Sequence, residues 1–130
     1  MYSILGWLNA LLLTLMILPF ILVRANKMIF KGKNKGLQSI TKLLRKVHKQ
    51  MGAVLVITGI VHGYLALGGF IIHTGILLYL ALLATGSMGF LFYRKKKKIL
   101  LQLHRYLAAL VIALLALHLI FPSALYYIFD

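Results

Sequence analysis

A chain of 130 residues that is 62% hydrophobic, with a mean hydropathy of +0.96, is too apolar for a soluble domain and too short for a second membrane domain. Its 15 Lys and Arg face a single acid, Asp130, for a formal charge of +14; paired-carboxylate chemistry, a Ser-His-Asp triad and carboxylate metal sites are excluded. Cysteine is absent, which excludes disulfides, thiolate ligands and covalent c-type haem attachment.

The first apolar run, Ile4 to Val23, is long enough to cross the hydrocarbon core. A cleaved signal peptide would want a basic leading region and a shorter core; Met1 to Leu5 carries no charge, so a retained helix is expected. Tyr2 and Trp7 fit an interfacial belt, and Pro19 is expected to kink the end of the span. Arg24 to Gln50 then carries nine Lys or Arg. Within it, Lys31 to Gly36 (KGKNKG) reads as a turn-rich loop, and Leu37 to Lys46 as an amphipathic lead-in to the second span. That second span covers residues 43–67, and Gly68-Gly69 reads as a short turn. Residues 70–93 form the third span, Arg94 to Lys98 (RKKKK) the second basic loop, and residues 99–121 the fourth span, with Pro122 marking its end. The fold class expected is an all-α membrane protein, a four-transmembrane-helix bundle forming one domain over residues 1–130.

A strongly basic chain can signal nucleic acid, but here the cations flank apolar spans, so the positive-inside rule accounts for them and no nucleic-acid partner is expected. Nine basic residues lie in the first loop and five in the second; the remaining one, Arg105, stands just inside the fourth span. Both basic loops are therefore expected in the cytoplasm and both termini outside, with spans two and four running in the same direction.

Span two contains VHKQMGAVLVITGIVHG, with His48 and His62 fourteen residues apart, and span four contains LHRYLAALVIALLALHL, with His104 and His118 at the same spacing. Fourteen residues of α-helix return to within about 40° of the starting face, about 21 Å further along the axis. Each helix thus shows two imidazoles on one face at two depths. His pairs from facing helices can hold b-type haem, and ionisable groups inside a membrane are functional by default. The pairs expected are His48 with His104 at the inner depth and His62 with His118 at the outer depth, for two haem b. Gly52, Leu55 and Gly59 share the first face; Ala108, Val111 and Leu115 share the second. Gly52 and Gly59 would let a porphyrin approach the backbone, although Gly59 and Gly63 also read as a GxxxG packing pair. Arg45, Lys46, Lys49 and Arg105 cluster at the inner level and could pair with propionates, or simply snorkel. His73 has no partner at this spacing and reads as interfacial, the alternative being a role at an external acceptor or quinone site. Tyr126 and Tyr127 read as belt residues.

The strings HKQMG and, fourteen from its His, HG, followed by HRYLA and HL, resemble the ferric reductase-like transmembrane domain. That family includes ferric reductases, the membrane part of NADPH oxidases and a bacterial haem subunit serving methionine sulfoxide reductase. The resemblance covers nearly the whole chain and implies haem ligation by His48, His62, His104 and His118. It implies electron transfer from a cytoplasmic donor to an extracytoplasmic acceptor by the haem subunit of an oxidoreductase, in a bacterial cytoplasmic membrane. Respiratory cytochrome b carries similar His pairs, but its N-terminus lies on the opposite side. The chain departs from many reductases of the family in lacking a flavin and nicotinamide domain, and no GxGxxG follows a strand, so a separate flavoprotein or a membrane quinol would be the donor. The rival readings are a quinol-linked cytochrome b subunit, a non-enzymatic haem sensor or haem-handling protein, and a haem-free helical scaffold.

Overall fold

The structure, a computed structural model, describes residues 1–69 and 72–129. Its elements are α1 (Tyr2–Ile29), α2 (Lys35–Leu67), α3 (Thr74–Lys95), α4 (Lys98–Ile120) and the short α5 (Ala124–Phe129), with no strand among the described residues. By length and apolar composition, α1 to α4 can each cross a membrane. The chain is an all-α protein of the multi-pass membrane class.

Its interior supports that class independently. The buried apolar residues are Leu13, Leu55, Ala81 and Val111; alongside them are four buried polar ones, Asn26, Thr41, Thr74 and Thr85. Large apolar side chains such as Trp7, Ile57, Leu80 and Leu119 point outward. A soluble domain would bury the second group, whereas a lipid-facing one spends its polar groups inward. The hydroxyls also satisfy themselves. Thr14, Thr41, Thr85 and Ser87 each donate to the carbonyl four residues earlier, so none requires water in a hydrocarbon environment.

Helix ends differ from the sequence expectation in instructive ways. The first span was expected to close at Val23; α1 runs on to Ile29, with Pro19 buried inside it. The first loop is shorter than KGKNKG, because Lys35 and Gly36 already belong to α2. Lys31 and Gly32 take positive φ, 51° and 80°, and turn the chain. Buried Asn26 clasps that loop: its Nδ2 donates to the Asn34 carbonyl and its Oδ1 accepts the Asn34 N–H. Asn34 in turn caps α2, its Oδ1 accepting the Leu37 N–H at 3.1 Å. From there α2 is one unbroken helix, so the expected lead-in and the second span are a single element.

The Gly68-Gly69 pair begins the next connection rather than completing it. Gly68, at φ 65°, donates to the Tyr64 carbonyl and closes α2. The third span was expected from Phe70; α3 starts at Thr74 with His73 as its N-cap, while Phe70 and Ile71 lie outside the described residues. The expected RKKKK loop contracts most. Arg94 and Lys95 finish α3, Lys98 starts α4, and only Lys96 and Lys97 connect them. Lys96 adopts the left-handed conformation and donates to the Phe92 carbonyl at 2.8 Å. So tight a turn makes α3 and α4 an antiparallel hairpin. α4 closes at Phe121, one residue before Pro122, as expected; α5 was not anticipated.

The helices group in two compact units, Ser3–Thr58 with Met1, and Gly59–Asp130 with Tyr2. In the first, a hydrogen bond from the Thr58 hydroxyl to the Asn9 side chain ties α2 to α1. The second is built on the α3–α4 hairpin.

Candidate functional site

Both histidine faces are the inward stripes of their helices. On α2, His48, Gly52, Gly59 and His62 are half-buried and Leu55 is 3% exposed. On α4, His104, Ala108, Leu115 and His118 are half-buried and Val111 is 1% exposed. Leu55 and Val111 stand at the midpoint of each His pair. Each helix therefore carries a closed apolar layer between two imidazole levels.

Three of the imidazoles have an assigned Nδ1. His62 Nδ1 lies 2.8 Å from the Tyr2 carbonyl, and His104 Nδ1 lies 2.8 Å from the Thr85 carbonyl. A carbonyl can only accept, so each Nδ1 carries the proton. His118 Nδ1 lies 3.0 Å from Thr74 Oγ1, and that hydroxyl spends its own proton on the Pro122 carbonyl at 2.6 Å. Thr74 must then accept from His118, which again places the proton on Nδ1. In all three rings the lone pair is left on Nε2.

This arrangement is what a metal-ligating imidazole requires: one nitrogen donates to an outer partner, which orients the ring and raises the basicity of the other. The donor set fits a group ligated by neutral imidazoles. Among the described residues no cluster of three or more His, Cys, Asp or Glu could hold a metal ion.

The partners of the two α4 imidazoles come from α3. A Cβ built on Gly89 would stand 3.0 Å from His104 Nδ1 and 3.1 Å from its Cε1; one built on Gly75 would stand 3.2 Å from His118 Cε1. Gly75 and Gly89 are also fourteen residues apart. Each imidazole of α4 is seated on a glycine of α3 and anchored by a threonine one or four residues before it. The repeated glycine spacing, matched to the histidine spacing across the hairpin, is the signal that could have revealed this.

Other expected site residues fall elsewhere. Gly52 faces the Met16 methyl at 3.3 Å from its ideal Cβ, and Gly59 faces the Tyr79 ring at 3.3 Å, so the space at both is filled by protein side chains. Arg45 lines a pocket between α1 and α2 with Lys27 and Lys42. Lys49 and Arg105 are exposed. His73 packs edge-to-face on His118 with ring centroids 5.9 Å apart, and His118 lies within electrostatic reach of both His73 and His62.

Comparison of the chain with family profiles, with curated proteins and with solved structures finds no match. The fold and the site together define a class: a multi-pass helical membrane protein in which His62, His104 and His118 each direct Nδ1 to an oxygen acceptor.

Proposed function

We propose that the chain carries electrons across a membrane by means of two haem b, as the haem subunit of an oxidoreductase resembling the ferric reductase-like transmembrane domain. The observation that supports this best is the common tautomer of His62, His104 and His118, each directing its Nδ1 proton to an oxygen acceptor that orients the ring. His48 with His104 would hold one haem and His62 with His118 the other. Haem supplies the one-electron couple; the chain's residues hold and orient it and keep water from it. Leu55 on α2 and Val111 on α4, each buried, would each keep an apolar position between the two levels of its own helix.

The test is the dithionite-reduced absorbance spectrum of the purified protein with a haem-to-protein ratio. About two low-spin, six-coordinate haems per chain are expected, both extracted by acidic acetone because no cysteine anchors them. A ratio of one would remove the series arrangement, and colourless protein expressed with ample haem would favour a scaffold.

The direction of transfer rests on the basic loops. With those loops in the cytoplasm, the inner level would accept electrons from a flavoprotein or quinol and the outer level would pass them to an extracytoplasmic acceptor. Orientation is measurable on its own. A cysteine placed at Asn34 should be shielded from an impermeant thiol reagent in intact cells, and one at Ser123 should react. The reverse pattern would turn the molecule over and favour the respiratory cytochrome b arrangement.

A further inference from the structure

The end of α1 and the first turns of α2 flank an open pocket of about 400 Å³. Lys27 reaches it from α1, and Lys42 and Arg45 reach it from one face of α2, three residues apart. Thr41 and Val23 give it an apolar side, and Gln38 a polar one. Its walls are held in place. The Asn26–Asn34 clasp joins the two helices, and Gln38 Nε2 donates to the Gly32 carbonyl at 2.7 Å.

Three cations share this pocket in a chain whose single acid is Asp130, far along the sequence from these residues. An anion held among these cations would therefore have to come from another molecule. The depth of the pocket narrows the choice. Val23 is the last residue of α1's apolar run before Arg24, so the pocket lies where the hydrocarbon ends and headgroups begin. Arg24 itself is turned back over the Phe20 ring, 5.3 Å from its centroid, and does not line the pocket. A basic pocket between two membrane helices at headgroup depth, with an apolar wall on its membrane side, matches an anionic phospholipid: phosphate against the cations, chain along Val23.

We infer that the α1–α2 pocket formed by Lys27, Lys42 and Arg45 binds the headgroup phosphate of an anionic phospholipid. This site lies one to two turns before His48 along α2 and does not depend on the haem reading.

The experiment uses the full chain, purified in a zwitterionic detergent and titrated with phosphatidylglycerol, phosphatidylcholine or inorganic phosphate, with bound lipid read by native mass spectrometry. Phosphatidylglycerol should be retained at least about tenfold more tightly than phosphatidylcholine, and inorganic phosphate should not compete at equal concentration. The double variant Lys42→Gln/Arg45→Gln should lose about tenfold in phosphatidylglycerol retention. Lys95→Gln/Lys97→Gln removes the same charge at the α3–α4 turn and should change retention less than about twofold. The single variant Lys27→Gln, in the other wall, should lie between the two. Equal losses in both double variants would mean diffuse attraction by net charge and would overturn the site. Equal retention of phosphatidylcholine would also overturn it, and effective competition by inorganic phosphate would reassign the pocket to a soluble anion.

Discussion

If the proposed ligation holds, His104→Ala and His118→Ala are each expected to lose about half of the bound haem, one haem per chain rather than two, because each would remove one of the residues proposed to hold it. His48→Ala and His62→Ala should do the same, while His73→Ala should keep both. The inclusion of His73 matters, since its ring stands against that of His118. If His73→Ala released a haem and His62→Ala did not, the outer pair would be His73 with His118. A graded companion separates ligand from support. Thr74→Val leaves His118 in place but removes the hydroxyl that receives its Nδ1 proton. It should weaken haem binding by about 10–100-fold without abolishing it, the usual cost of losing an outer hydrogen bond to a ligating histidine.

Gly89→Leu should be the most damaging single change on α3. The His104 ring already stands 3.0 Å from where a Cβ would be, and its Nδ1 is pinned 2.8 Å from the Thr85 carbonyl. The ring cannot withdraw without breaking that bond, so either the hairpin opens or the imidazole swings out. A cost of about 1–3 kcal/mol is expected for overpacking alone and, on the proposed ligation, loss of the haem that His104 would hold. Gly86, three residues earlier, has open space where its Cβ would lie. Gly86→Leu should therefore leave both haems bound and change stability by less than about 1 kcal/mol. Thermal unfolding followed beside the haem spectrum checks both variants. Equal behaviour of the two would show that the glycine seat is not what holds His104.

The inward faces of α2 and α4 were legible because membrane helices leave few polar residues, so that a fourteen-residue interval between imidazoles stands out from an apolar background. The four spans were legible for the same reason. Helix ends were less so, because charge was read as loop. Lys and Arg are good helix formers, and their long side chains reach water from inside a helix. So Arg94, Lys95 and Lys98 stay helical, and α1 continues past Arg24 to the turn at Lys31 and Gly32. The part played by α3 was hidden because glycine and threonine carry no charge and no hydropathy signal. Only the hairpin reveals it: Gly89 and His104 are equidistant from the Lys96–Lys97 turn, and so are Gly75 and His118. The contact of His73 with His118 depends on how α3 is entered, which no residue spacing announces.

The imidazole partners also have an order in time. Hydroxyls that bond four residues back are content as soon as their own helix forms, but a histidine proton needs an acceptor from elsewhere. Tyr2 precedes His62, and Thr74 and Thr85 precede His118 and His104. As the ribosome delivers the chain from its N-terminus, each of these three rings emerges after the group that will receive its proton. None of the three has to sit in the lipid waiting for a partner still to be synthesised.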